Sequence, residues 1–375
     1  MNPLYLDPRT GQTYPLDPPR WCGPDRAPLL LTPLPGLTRA EIDPAGRGPW
    51  RYRAALPFAP DDPITLGEGG TPLLPRTLHG APALLKAEWI MPTGSFKDRG
   101  ATVMLSLLRA QGVRAVLEDS SGNGGAAVAA YAAAGGLAAT ILAPASTSPA
   151  KTVQMRAHGA TVELVPGTRQ DTADAAILRA EQIFYASHNW HPFFLHGTKT
   201  LAYELWEDLG FRAPDNVIVP CGAGSNVLGC AIGFDELHRA GQIARPPRLF
   251  AAQPAACAPI AAAFAGSTPA PTQTGPTIAE GTAIAAPIRL PEVVAALRHS
   301  GGGAVSLTEA EIVAATLDLA RIGVYVEPTA AQPSAAFAKL LAAGRIAPQE
   351  TTVLVLTGSG LKATPLLAGL LGISL

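Results

Sequence analysis

The sequence is poor in charge, in cysteine and in long apolar runs, and each shortage excludes something. Of 375 residues only 15% are charged, with 28 Lys and Arg against 29 Asp and Glu, a net charge of −1. Such near-neutrality argues against nucleic acid or another polyanion as a partner. The four cysteines, Cys22, Cys221, Cys230 and Cys257, are too scattered for a disulfide framework or a four-thiolate zinc site. No metal is expected, and a reducing cytoplasm is the simplest setting. No stretch of about 18 apolar residues is present, so no membrane span is expected. The opening Met1-Asn2-Pro3-Leu4-Tyr5 lacks a basic region followed by an apolar one, so no signal peptide is expected. What is present is 47% hydrophobic residues, 38 glycines and 37 prolines, in a chain long enough for two domains and a sizeable core.

Strand and helix patterns alternate in the middle of the chain. Residues 114–118, 139–143 and 161–165 read as strands, and 101–110, 124–134, 149–158 and 172–185 as helices. That alternation predicts a parallel sheet with right-handed crossovers, an α/β fold. Further strands are expected at 84–88, 216–220, 247–252 and 352–357, and helices at 309–322 and 331–343. Residues 1–48 are rich in turn formers with little periodicity. The Pro, Thr and Gly-rich stretch 265–278 reads as a mobile loop and a candidate lid.

The chain turns on Pro92-Thr93-Gly94-Ser95-Phe96-Lys97-Asp98-Arg99-Gly100. Ser95 is a candidate helix N-cap, with Asp98 as a weak echo of a capping box. Lys97 then falls in the first helical turn, where a cation is unfavourable against the helix dipole. A lysine that is neutral, imine-linked or beside a bound phosphate suits that place. Taken alone, Lys97 also reads as a solvated lysine at a charged helix start. Ser120-Ser121-Gly122-Asn123 joins a strand to a helix, at the carboxyl end of a parallel strand where ligands bind. Its hydroxyls, amide and helix-start N–H groups would cradle a carboxylate, although it also reads as an ordinary capped turn. Gly222-Ala223-Gly224-Ser225-Asn226 follows a strand, and its glycines let N–H groups converge on an anion. A dinucleotide fingerprint is excluded because a third glycine in register is missing. Thr357-Gly358-Ser359-Gly360-Leu361-Lys362 ends the last strand, and Gly69-Gly70-Thr71-Pro72 reads as a turn before an extended run.

In this order the motifs resemble those of the threonine synthases, within the β-family (fold type II) of pyridoxal phosphate (PLP) enzymes. The resemblance runs from about Gly67 to Lys362. It implies a two-domain parallel-sheet α/β fold with PLP in the cleft, joined to Lys97 as a Schiff base. Lys97 would also act as the catalytic base and acid. The resemblance gives Gly222, Ala223, Gly224, Ser225 and Asn226 to the cofactor phosphate, Asn123 to the ring oxygen and Thr357 to the ring nitrogen. It gives Thr71, Ser120, Ser121, Gly122 and Lys151 to the substrate, a small amino acid. A homodimer is implied. The expected domains are an arm at 1–48, a large PLP-binding domain at 49–100 plus 188–375, and a small α/β domain at 101–187.

The chain also departs from the family. Ser121 stands where threonine synthases typically have threonine, and only Cys22 remains of an N-terminal knuckle built on two Cys-x-x-Cys pairs. Before Gly197-Thr198-Lys199-Thr200, the family has Asn, Ser and then Arg near a proline. Here Ser187-His188-Asn189-Trp190-His191-Pro192-Phe193-Phe194 places Phe194 at the arginine position. A phenyl ring cannot offer a phosphate the charge-assisted fork of arginine. His188, His191, Arg156 and Lys151 are candidates to compensate, and the histidines also read as aromatic packing. The expected reaction is O-phosphohomoserine and water to threonine and phosphate. The alternatives are a related β-eliminase, of the serine/threonine dehydratase or diaminopropionate ammonia-lyase type, and a non-catalytic PLP-binding protein.

Overall fold

The computed structural model describes residues 3–147, 149–267 and 275–374. The chain divides into two compact units, Met1–Gly69 with Lys97–Thr200 and Gly70–Phe96 with Leu201–Leu375. Residues 1–69 and 188–200 thus group with the small α/β segment, whereas the domain expectation had separated them from it. The reason is burial: Tyr5, Leu29, Leu31, Trp50, Leu56, Ile64, Phe193 and Phe194 all enter one apolar core with the helix after Lys97.

The first unit opens with a small antiparallel sheet of β1 (Tyr5–Leu6), β2 (Thr13–Tyr14) and β3 (Leu30–Leu31), ordered β2-β1-β3. The chain then visits the second unit through the hairpin of β4 (Leu73–Leu78) and β5 (Ala81–Lys86). It returns with α1 (Lys97–Ala110), β6 (Ala115–Asp119), α2 (Asn123–Gly135), β7 (Ala138–Pro144), α3 (Pro149–Ala157), β8 (Thr161–Val165), α4 (Arg169–Arg179), β9 (Phe184–Tyr185) and α5 (Pro192–Thr198). The four strands form a parallel sheet ordered β8-β7-β6-β9. One expectation fails here, the single helix over 172–185. A capping box of Thr168 and Asp171 starts α4 earlier, and the chain leaves the helix after Arg179. Phe184 and Tyr185 instead extend the sheet beside Val116 and Leu117, as suits two adjacent aromatics.

The second unit continues with α6 (Thr200–Asp208), β10 (Asn216–Pro220), α7 (Ser225–Arg239), β11 (Arg248–Pro254), α8 (Pro259–Phe264), α9 (Leu290–His299), β12 (Gly303–Leu307), α10 (Glu309–Arg321), α11 (Pro328–Ala342), β13 (Thr352–Val355) and α12 (Thr364–Leu370). Its six strands run in the order β12-β11-β10-β13-β5-β4, parallel except for β4. Every residue of β10 and of β13 is buried, as a parallel sheet covered on both faces requires. The expected lid at 265–278 falls largely on residues 268–274, outside the described residues. Among the described residues no helix is long and apolar enough to cross a membrane. No group of three or more His, Cys, Asp or Glu among them could hold a metal ion.

Candidate active site

In the first unit, Lys97 opens α1, and its Nζ stands 5.5 Å from the centre of the Phe194 ring. Phe194 is fully buried and lies against α1 at Gly100, where a Cβ would come within 2.4 Å of the ring. Only glycine allows that approach. The edge of Phe194 meets the ring of His188, with centroids 5.8 Å apart. His188 in turn is fastened to Glu118 near the carboxyl end of β6. Its backbone amide donates to Oε2 at 2.9 Å and its Nδ1 to Oε1 at 2.8 Å. The next residue, Asp119, pairs with Arg169 at 2.6 Å and accepts from the Tyr185 hydroxyl.

The loop Ser120-Ser121-Gly122-Asn123 follows this pair. Gly122 occupies the cap position of α2 and supplies no side-chain cap. A methyl group on Gly124 would stand 2.7 Å from His188 Nδ1 and 3.0 Å from Ser120 Oγ, so His188 and Ser120 flank the start of α2. The structure therefore gathers Lys97, Phe194, His188, Glu118 and the 120–123 loop within one unit. Lys151 lies on α3, but its side chain is outside the described residues.

The charges here are set by burial. Burial opposes the ionised form of Glu118, but the His188 ring and amide outweigh it and hold the carboxyl below its ordinary range. Burial likewise pushes His188 below the ordinary 6.5, with Lys97 adding to the fall and Glu118 opposing it. Burial raises Asp119 despite Arg169. The pair at neutral pH is an ionised carboxylate accepting from a neutral imidazole.

In the second unit, the segment before Lys97 is stitched to the last motif of the chain. Phe96 N–H donates to the Thr357 carbonyl at 2.9 Å, Ser95 bridges Gly358, and Ser359 N–H donates to the Gly94 carbonyl at 2.9 Å. Lys362 Nζ closes the seam on the Thr93 carbonyl at 2.7 Å. Ser95 does not act as the expected helix cap: its hydroxyl is fully buried and has no hydrogen-bond partner.

Thr71 is also buried, and its hydroxyl donates to Glu88 at 2.6 Å, with Glu204 3.2 Å away. Glu204 takes the Gly70 and Thr71 amides at 2.9 Å each, while Lys86 reaches Glu204 at 2.6 Å and Asp208 at 2.7 Å. Sequence reasoning missed this network, as it missed Glu118. The available signal was a set of charged residues on or just after otherwise apolar strands.

The glycine loop 222–226 turns from β10 into α7. Gly224, at φ +96°, takes the cap position of the helix, and a Cβ there would collide with Val293 at 2.2 Å. The helix end has no side-chain cap. Asn226, on its first turn, is 2% exposed, and neither its amide nitrogen nor its oxygen has a partner. Buried amides without partners are uncommon and costly. A phosphate beside uncapped helix-start amides would accept from the Asn226 side-chain N–H and leave its oxygen for another donor. The loop, Asn226 and the orphaned Ser95 hydroxyl thus fit the expected PLP, whose phosphate and ring carry the matching acceptors.

The profile of pyridoxal-phosphate dependent enzymes matches residues 64–358 of this chain. The chain is 35% identical over 323 residues to a threonine synthase of Methanosarcina acetivorans, covering 84% of this chain and 80% of that one. It is 37% identical over 326 residues to a threonine synthase of Methanocaldococcus jannaschii, again 84% and 80%. Among solved structures, a threonine deaminase from T.th. superposes with a TM-score of 0.64 at 28% identity, covering 77% of this chain and 92% of that one. Maize serine racemase superposes with a TM-score of 0.68 at 22% identity, covering 80% and 93%, a likeness of fold alone.

Proposed function

The chain belongs to the pyridoxal-phosphate dependent enzymes, among the threonine synthase-like members of fold type II, and on that premise we propose that it is a threonine synthase. Its substrates would be O-phosphohomoserine and water, and its products threonine and phosphate. The observation that carries the reading is Lys97, at the start of α1 within a nine-residue lysine motif, in a chain 35% and 37% identical to two threonine synthases over most of its length. The cofactor, when bound, supplies an electron sink for charge developing on the substrate carbons.

The remaining work falls to this chain's own residues. Lys97 anchors the cofactor, and its amine then removes and returns protons on the substrate. Gly222, Ala223, Gly224, Ser225 and Asn226 hold the cofactor phosphate, Asn123 the ring oxygen and Thr357 the ring nitrogen. Ser120, Ser121 and Gly122 receive the substrate carboxylate, with Thr71 and Lys151 as further substrate contacts. The enzyme would work in the cytoplasm as a homodimer, which light scattering checks. Its four free cysteines suit a reducing setting.

The test is direct. Purified protein with pure O-phosphohomoserine should release phosphate and form threonine in equal amounts, and absence of both products refutes the proposal. Phe194 favours a second reading. It fills the place of a phosphate-gripping arginine with a fully buried ring, which suits an uncharged side chain better. In that case the enzyme is a β-eliminase, and serine, threonine or diaminopropionate should yield a 2-oxo acid.

A further inference from the structure

We propose that His188, held by Glu118, is a second proton-transfer residue of this enzyme, accepting at Nε2 a proton from the water that adds to the substrate side chain. This rests on the reading of Lys97 as the cofactor lysine. The geometry lies wholly within the first unit. Nδ1 donates to a fully buried carboxylate at 2.8 Å, and the His188 amide donates to the same carboxylate at 2.9 Å. With Nδ1–H committed, the neutral ring presents Nε2 as an acceptor. A carboxylate behind an imidazole is the arrangement that orients a general base. The ring stands beside Ser120 and the start of α2, and Phe194 contacts both it and the Lys97 amine.

Burial, with Lys97, outweighs the carboxylates Glu118 and Asp119, which favour the charged ring. Glu118 and Asp119 of β6, Arg169 of α4, Tyr185 of β9 and Lys97 of α1 all act on this cluster. Burial and Lys97 keep the ring neutral, while Glu118 fixes its orientation. A neutral ring backed by a buried anion is a poor grip for a phosphate dianion, so His188 does not stand in for the arginine absent at Phe194. In each cycle the proton passes from oxygen to Nε2 and the oxygen keeps the bonding pair. The imidazolium then gives the proton to solvent, and the neutral ring is restored.

Two measurements test the assignment. Nitrogen NMR of the His188 ring, with H188N to identify the signal, should show the Nδ1–H tautomer at pH 7, and E118Q should abolish that preference. An Nε2–H tautomer, or a charged ring at pH 7, overturns the proposal whatever the substrate proves to be. In turnover, H188N and H188Q should bind PLP with an unchanged absorbance spectrum and lose about 10²–10⁴-fold in kcat. They should also lose the acid-side fall of the kcat–pH profile. A kcat within about threefold of the parent, with that fall intact, overturns it. If the parent turns over none of the named amino acids, the proposed function fails, and the tautomer measurement alone decides the role of His188.

Discussion

Asn226 offers a test in which two effects of one substitution have opposite signs. The side chain is buried at the start of α7 and neither polar atom has a partner. Asn226→Leu nearly keeps the volume and removes both. In the protein freed of cofactor, deleting a buried amide that makes no hydrogen bond should stabilise by about 1–3 kcal/mol, the desolvation cost of the group. With PLP present, the same change would, on the proposed assignment, remove a hydrogen bond to a charged phosphate, worth about 1.5–3 kcal/mol. At about 1.4 kcal/mol per factor of ten, the Kd for PLP should rise about 10- to 150-fold. Urea unfolding of the cofactor-free protein, compared at constant m-value, gives the first quantity. Titration of the same protein with PLP, followed by absorbance, gives the second. An unchanged Kd, or a cofactor-free protein made less stable, would refute the assignment of Asn226 to the phosphate.

Three further outcomes are expected. Lys97→Ala should leave no lysine for borohydride to fix to the cofactor, and turnover should fall by about 10⁴-fold or more, the upper range for one proton-transfer group; covalent labelling persisting in the variant would show that another lysine is used. Phe194→Ala should destabilise by about 3–5 kcal/mol in urea unfolding, because the ring is fully buried against Gly100 and leaves a cavity; a loss under about 1 kcal/mol would refute that packing. His196 is buried, and burial followed by Lys199 pushes it well below the ordinary 6.5. The unfolded chain therefore takes up a proton that the folded chain refuses, and stability should fall as pH drops below about 6.5, by up to about 1.4 kcal/mol per unit. His196→Gln should flatten that slope in unfolding measured from pH 7 to 5.

Much of the first unit was legible because its elements are locally encoded. Residues 161–165 form a strand at the expected bounds, and 114–118 is displaced by one residue. Strand composition and turn residues mark these elements even where, as in β6, four of five residues are buried and no one-face period shows. Periodicity failed where a tertiary partner decided the outcome. Phe184 and Tyr185 carry helix-compatible spacing, but pairing with Val116 and Leu117 made them a strand. Residues 1–48 looked featureless because β1, β2 and β3 have two residues each, too few for any period. Yet Tyr5 is fully buried and stacks on Phe193 with centroids 5.9 Å apart.

The candidate site divides along the same line. That Lys97, the 120–123 loop and the 222–226 loop sit at helix starts was readable because each is a short motif whose backbone demands are written in its own residues. Gly224 at φ +96° is the clearest instance. Ser95 was misread as a cap because a serine before a helix nearly always has a local use. Here it is drawn instead into the bridge with Gly358, in a seam whose ends, Thr93 and Lys362, are 269 residues apart. Glu118 was invisible for a related reason. A carboxylate at the end of a buried strand is unfavourable in isolation, and the ring and backbone amide of His188, 70 residues away, make it tolerable. A buried charge is thus a stronger pointer to chemistry than an exposed one, since a partner must offset its cost and that partner is drawn to the same place. Lys97, Phe194, His188 and Glu118 form one continuous chain of contacts on that principle. Because Phe194, His188 and Glu118 are in contact, substitutions at them should couple rather than add.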